Sequence, residues 1–280
     1  MTFDVDRKRV VVVGGGRSGR AAAELLVSRG AEVVLSDTGH SVEDADNLRR
    51  RGVTFELGPH RADLFKSADL IVVSPGVPLE QDAFTAARAA GVAVIGEVEL
   101  ASRWLSGRVI AITGTKGKST TTTLAARMLT EAGFDVTAGG NLGIALSAQV
   151  PLSHPSSFHV VEVSSFQLEA IETFRPWIAV LLNLAPDHLD RHGSIAAYGQ
   201  AKARVFANQT PADWAVVNAD DPAALELARG ARARRFDFGL QTAVTPGVSV
   251  EGGHIVRRSA SGATPLLPVA SVRLPGRHLL

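Results

Sequence analysis

The sequence predicts an α/β protein of two consecutive units, the second ending in a small antiparallel β extension, and three observations support this. Short β-branched runs alternate with helical apolar spacing along most of the chain, as in parallel strands covered by helices. Two glycine-rich turns, Gly14-Gly-Gly16-Arg-Ser-Gly19 and Gly114-Thr-Lys-Gly-Lys-Ser-Thr120, each follow such a strand and open such a helix. The chain therefore offers two places where phosphate can meet a helix N-terminus. After Asp237 the pattern changes to short strands with turns at Gly247, Glu251-Gly-Gly253 and Ser261-Gly262.

The elements follow in order. Val10 to Val13 reads as a buried strand, and Ala23, Leu26 and Val27 give helical spacing from Arg20 to Arg29 before Gly30 stops it. Glu32 to Ser36 is a strand ending in Asp37. A helix around Asp44 to Arg51 follows, then strands at Thr54 to Leu57 and Leu70 to Ser74, a helix at Gln81 to Ala90 and a strand at Val92 to Ile95. The boundary falls between about 95 and 107, giving domains 1–95 and 96–280. The second unit predicts a strand at Val109 to Thr113, a helix at Lys118 to Ala132, strands near Asp135 to Thr137, His159 to Val163 and Ile178 to Asn183, a helix around Tyr198 to Asn208 and a strand at Trp214 to Asn218. The chain stops at Leu280 in mid-strand on this reading.

The 280 residues suit about two domains, and 45% hydrophobic content is ample for a core in each. The 29 basic and 28 acidic residues leave a net charge of +1 with no basic block, which argues against nucleic acid as a partner. There is no cysteine, so disulfides, thiolate metal sites and cysteine nucleophiles are excluded. The apolar run before Gly14 is too short for a signal peptide or membrane span, and a cytoplasmic location is expected.

The first turn fits G-x-G-x-x-G, with Asp37 at the second strand's end where a ribose-binding acid belongs. A nucleotide site is one reading; glycines that merely permit tight strand-to-helix packing is the other. Ser74-Pro-Gly-Val-Pro78 leaves a strand at the edge where open α/β sheets bind ligands, or is an ordinary turn. In the second turn, Lys118 can reach terminal phosphate oxygens, Ser119 can ligate Mg²⁺, and backbone amides from Gly114 to Thr120 can surround the phosphates. The match is the shorter G-T-x-G-K-S form, because Ile112 stands where the longer pattern has its first glycine. Glu162 ends a buried strand, where an acid can hold the nucleotide's magnesium or simply face solvent. Asp187-His-Leu-Asp190 places an imidazole and two carboxylates at a sheet edge. His188 is its distinctive group, or a surface or cap residue. By composition Lys202 is an ordinary helical lysine.

Thr113 to Thr121, Gly139-Gly-Asn141-Leu-Gly143, Glu162 to Glu169, Asp187 to Arg191 and Tyr198 to Lys202 together resemble, in order and spacing, the motifs of the Mur ligases, over all 280 residues. The resemblance implies ATP-dependent amide formation in cytoplasmic peptidoglycan precursor synthesis, through an acyl phosphate attacked by an amino acid's amine. It implies a Rossmann-like UDP-binding domain over 1–95 and a P-loop ATP-binding central domain over 96–280. Ser74 to Pro78, Gly96-Glu-Val-Glu99 and Ser164-Ser-Phe-Gln167 resemble the D-glutamate-adding branch, whose substrates are UDP-N-acetylmuramoyl-L-alanine, D-glutamate and ATP. The L-alanine-adding branch is the alternative. The implied UDP-substrate site comprises Arg17 and Ser18 near the diphosphate, Asp37 and Thr38 near the uracil, Asn141 on the sugar-peptide side, and Ser74, Gly76, Ser164 and Gln167. The implied ATP site comprises Gly114, Thr115, Lys116, Gly117, Lys118, Ser119 and Thr120. The implied catalytic set is Lys118, Glu162, His188 and Lys202. Two Mg²⁺ ions are implied, held by Ser119, Glu162, His188 and Lys202, the lysine as a CO₂-derived carbamate. A monomer with small-molecule partners, no nucleic acid and no membrane is expected.

Two departures stand out. Lys116 occupies a position where these ligases often carry asparagine or histidine. Pro275-Gly-Arg-His278 is followed only by Leu279 and Leu280, so the central domain is expected to be incomplete and a third, amino-acid-binding domain absent. A non-catalytic UDP-sugar and nucleotide-binding module is therefore the alternative from another class, and an NAD-dependent oxidoreductase a third.

Overall fold

A computed structural model describes residues 3 to 273. The Pro275 to Leu280 segment, and with it the expected unfinished strand, lies outside the described residues.

The first half of the chain reads β1 (Arg9–Val13), α1 (Arg17–Ser28), β2 (Glu32–Asp37), α2 (Ala45–Arg50), β3 (Thr54–Leu57), α3 (Ala62–Lys66), β4 (Leu70–Val73), α4 (Asp82–Ala89), β5 (Ala93–Gly96) and α5 (Glu97–Ser102). Its strands form one parallel sheet in the order β3-β2-β1-β4-β5. A sheet covered on both faces has no solvent face, so its strands need continuous apolar runs. The valines of β1 meet that need by alternation. Val10 and Val12 pack in one core with Ala22, Ala23 and Leu26 of α1 and Leu100 of α5. Val11 and Val13 pack in the opposite core with Phe65, Phe84 and Ala87.

The remainder reads β6 (Arg108–Thr113), α6 (Lys118–Glu131), β7 (Val136–Gly140), α7 (Leu146–Gln149), β8 (Phe158–Glu162), α8 (Ser165–Glu169), β9 (Ile178–Leu181), α9 (Leu189–His192), α10 (Ile195–Ala203), β10 (Trp214–Val217), α11 (Pro222–Leu227), β11 (Arg234–Arg235), β12 (Asp237–Gly239), β13 (Gly247–Glu251), β14 (His254–Ser259) and β15 (Gly262–Pro268). A second sheet runs β11-β10-β9-β6-β8-β7, with β6 paired parallel to both β8 and β9. Ile110 and Ile112 of β6 pack with Ala126 of α6 and with Phe158 and Val160 of β8. The extension is a third sheet, β12-β13-β14-β15. Its β13-β14-β15 part is antiparallel as expected, but β12 pairs parallel with β13, because a loop rather than a tight hairpin joins them.

The two compact units are not contiguous in sequence. One comprises residues 1–106, 140–155 and 166–174; the other comprises 107–139, 156–165 and 175–280. Grouped by contacts rather than by sequence, α5 belongs to the first unit, and so do two later segments that return to it. Local patterning reports elements and cannot report which core a returning segment joins.

Candidate active site

The first unit builds its site at the C-terminal ends of β1, β2 and β4. Gly14 leaves β1 at φ +94°, a conformation open to glycine, and its N–H donates to Ser36 O at 2.8 Å. Gly19 is fixed by space: a Cβ there would lie 1.8 Å from Gly14 O. Asp37 staples the turn, with Oδ2 accepting from Gly15 N–H at 2.5 Å and Oδ1 from Gly39 N–H at 2.7 Å. Ser74 Oγ donates to Gly14 O at 2.9 Å and ties in the β4 loop. No described side chain caps α1, which leaves its first-turn amides facing the cavity.

That cavity holds about 440 Å³, and Arg17, Ser18, Asp37, Thr38, Ser74, Gly76 and Asn141 all line it. The structure thus gathers most of the residues expected at the UDP site. Asn141 arrives from the returning segment 140–155, whose loop is closed by Gly140 N–H donating to Ile144 O at 2.8 Å. Ser164 and Gln167 do not line the cavity. Gln167 is buried in the first unit, and Ser164 falls in the second.

In the second unit, the turn from β6 to α6 uses Gly114 at φ +147° and Gly117 at φ +86°. Asn183, at the end of β9, clamps this turn from beside it. Its Oδ1 accepts from Thr115 N–H at 3.0 Å and Lys116 N–H at 2.9 Å, while its Nδ2 donates to Lys116 O at 3.0 Å. Within the stretch Gly114 to Thr120 expected to surround the phosphates, the amides of Thr115 and Lys116 are bound to Asn183. The open N-terminus of α6, which no described side chain caps, remains to face an anion. Sequence reading passed over Asn183; an asparagine ending a buried strand beside the phosphate-loop strand is the signal that could have marked it.

Three lysines lie beside this turn. Lys118 Nζ donates to Thr115 O at 2.9 Å, and burial lowers its amine's pKa, partly offset by Glu162 and Asp187. Lys116 is exposed, with Nζ 3.8 Å from Asp187 Oδ2. Lys202 lies on α10, which begins at Ile195 rather than near Tyr198 because Ser194 caps it by accepting from Ala197 N–H at 3.1 Å. Only 1% exposed, Lys202 donates to Gly114 O at 2.8 Å and sits 4.4 Å from the Tyr198 ring centroid. Burial, and next the Lys118 charge, bring its amine down to about 7.

Two oxygens suited to a hard cation lie side by side: Ser119 Oγ donates to buried Glu162 Oε2 at 2.6 Å. His188 adopts φ +50°, where histidine is one of the tolerated residues, with Nε2 3.9 Å from Asp187 Oδ2. Among the described residues no three His, Asp or Glu side chains gather as a ready metal cluster. Ser119 and Glu162 still fit Mg²⁺, which typically takes one or two carboxylates and completes its shell with phosphate oxygens and water. No described helix is long and apolar enough to cross a membrane.

Residues 8–96 match the family described as Mur ligase MurD-like, N-terminal domain, and residues 112–279 match the Mur ligase middle domain. A protein of Pelotomaculum thermopropionicum named UDP-N-acetylmuramoylalanine--D-glutamate ligase is 44% identical over 283 residues, covering 100% of this chain and 62% of its own. One of the same name from Acidobacterium capsulatum is 46% identical, covering 99% and 61%. The chain thus spans about three fifths of the length of these curated relatives. Among solved structures, the UDP-N-acetylmuramate:L-alanyl-gamma-D-glutamyl-meso-diaminopimelate ligase from Neisseria meningitides superposes with a TM-score of 0.62 at 20% identity, over 97% of this chain and 89% of that one. A murein peptide ligase from Psychrobacter arcticus gives 0.58 at 18%, over 97% and 62%. These likenesses share the fold, and together the two domain matches, which cover most of the sequence in the order its two phosphate turns require, show that the chain belongs to the Mur ligase family.

Proposed function

We propose that this chain forms the UDP-substrate and ATP-binding part of a cytoplasmic, monomeric ligase that adds D-glutamate to UDP-N-acetylmuramoyl-L-alanine. One observation carries the reading: the chain has both a cavity lined by a glycine turn, Arg17 and Asn141 and a lysine-bearing phosphate loop whose Ser119 meets Glu162 of β8. The name borne by the curated relatives supports the choice of substrate.

Such a reaction moves the γ-phosphoryl group of ATP to the substrate carboxylate; the amine of D-glutamate then attacks the acyl carbon and inorganic phosphate leaves. Both early reactants are anions, so the protein must lower their repulsion. Lys118, at the open end of α6, offers its ammonium to the terminal phosphate oxygens. Ser119 and Glu162 would hold Mg²⁺, which supplies charge neutralisation on those oxygens when bound. Asn183 fixes the loop's shape with a neutral carboxamide, adding no negative charge beside the triphosphate.

Lys202 is read as the carbamylated residue and, with His188, as a ligand of a second Mg²⁺. An amine near 7 supports this, because only the unprotonated amine reacts with CO₂ and much of it is unprotonated at neutral pH. Supplying ¹³CO₂ and recording the carbamate carbon by NMR checks it: a signal lost in K202A is expected, and an identical signal in K202A contradicts the reading.

Phosphate release with ATP, Mg²⁺, UDP-N-acetylmuramoyl-L-alanine and D-glutamate tests the function, comparing this chain with a version extended to the relatives' length. Release dependent on all four components in the extended version is expected, with UDP and ATP binding already present in the 280 residues. Tight NAD binding at the Gly14 turn that UDP does not displace overturns the reading. Binding of both nucleotides without release in the extended version favours a non-catalytic module instead.

A further inference from the structure

The motif Gly96-Glu-Val-Glu99 lines neither phosphate turn, yet its glutamates are 1% and 0% exposed. Burying a carboxyl costs several kcal/mol unless it is well hydrogen-bonded, so what each one binds explains its presence. Each holds a different returning segment of the first unit. Glu97 Oε1 accepts from Ser147 N–H at 2.6 Å, in the first turn of α7. Ser147 stands just beyond Asn141, Gly143 and Ala145, which form one wall of the nucleotide cavity. Glu99 Oε2 accepts from the N–H groups of Glu172, Thr173 and Phe174 at 2.8, 2.9 and 2.8 Å, and Oε1 from Thr173 Oγ1 at 2.5 Å and Arg103 Nε at 2.8 Å. Gly96 completes the pattern: its N–H donates to Ala170 O at 2.8 Å, and a Cβ there would lie 3.0 Å from Ala170 Cβ.

We infer that Gly96 to Glu99 is a double clasp that seats segments 140–155 and 166–174 in the first unit, and that Glu97 is a positioning residue for the nucleotide-cavity wall carrying Asn141. Glu97 acts through Asn141, Gly143 and Ala145 and does not itself touch a ligand. The glutamates differ in state as in task. Burial pushes the Glu97 carboxyl up, so a neutral glutamine is a fair substitute that keeps an oxygen for Ser147 N–H. Burial also opposes charge on Glu99 most strongly, but the hydrogen bonds from Thr173, Glu172 and Phe174 together hold it below the ordinary carboxylate value. A glutamine at 99 retains one acceptor oxygen for donors that now occupy two.

The ligand side of this inference rests on the proposed reading that the cavity takes a UDP-linked substrate. The test measures UDP and Mg·ATP dissociation constants, with backbone amide exchange, for the wild-type chain, E97A, E97Q and E99Q. E97A is expected to weaken UDP about tenfold, the size of one lost hydrogen bond to a buried group, and to leave Mg·ATP within about twofold. E97Q is expected to stay near wild type for both ligands, and E99Q to lose protection at Glu172 to Phe174. Ser147 N–H exchanges slowly in wild type and E97Q and quickly in E97A. Unchanged UDP binding by folded E97A, or equal loss of both nucleotides, overturns the positioning role. If E97A does not fold, E97Q and wild type decide: loss of UDP binding in E97Q, or fast exchange at Ser147 in wild type, overturns it. A wild-type chain that ignores UDP sinks the substrate reading alone, and amide exchange still decides the clasp.

Discussion

The two phosphate turns have the same local plan, strand to glycines to uncapped helix, yet they are braced by different chemistry. At the first, a carboxylate does the bracing: Asp37 takes the amides of Gly15 and Gly39. At the second, a carboxamide does: Asn183 takes those of Thr115 and Lys116 and returns a donor to Lys116 O. On the proposed reading, a negative brace is tolerable beside a diphosphate that an uncapped helix and Arg17 would also hold. Beside a triphosphate approaching another anion, it would add repulsion where charge is already highest. The surroundings differ in the same sense, with Lys116 and Lys118 around the second turn. Brace and cation number together distinguish the turns, although their glycine patterns look alike.

Breaking the second turn's charge gives the largest expected effect. On the proposed reading, K118A in the version extended to the relatives' length should lower phosphoryl transfer by about 10²–10³-fold, as for loss of one preorganised charge-stabilising donor, and rapid-quench measurement of ADP formation checks it. Next comes the packing of the first turn. G19A puts a methyl into Gly14 O, a backbone atom that cannot swing away, and should cost about 3 kcal/mol or more in urea unfolding of the first unit. At G16A a Cβ meets nothing within 4 Å, and the change should stay within about 0.5 kcal/mol. Exchanging the braces sharpens the contrast. N183D should weaken Mg·ATP about tenfold or more, while D37N, which leaves one of two amides without its acceptor, should weaken UDP about tenfold and leave Mg·ATP unchanged. Titration calorimetry with both nucleotides on both variants reads the pair.

A separate effect concerns pH. Lys202 has a folded-state amine near 7 against the ordinary lysine value of 10.5, so between those values the unfolded chain binds more protons. Stability of the second unit should therefore rise with pH across that window in CO₂-free buffer, and the penalty should be fully present below about 7. K202M should flatten that rise; a slope unchanged in K202M contradicts the assignment.

Much of this was legible in the sequence, and the gaps have physical causes. The valines of β1, the two glycine turns and the run from Ile178 to Leu181 declare buried parallel strands because burial on both faces leaves no room for polar alternation. Asp37, Ser74 and Asn141 could be assigned to one site because they sit at strand ends or within a recognisable motif. Asn183 was missed because its partners are backbone amides 67 and 68 residues away, which carry no side-chain signature. Glu97 and Glu99 lie at the start of a short helix and look like ordinary first-turn acids; only the return of 140–155 and 166–174 makes them interior groups. For the same reason Asn141, far beyond the first unit's strands in sequence, belongs to that unit by its contacts.

The central claim is that the two turns take two different nucleotides, and amide exchange with each ligand tests it most directly. UDP should slow exchange at 14–19, 37–39, 74–77 and 140–145 and leave 114–120 untouched. Mg·ATP should slow 117–120 and leave the first set unchanged. Protection of one turn by both nucleotides, or of the Gly14 turn by NAD in preference to UDP, would contradict the account.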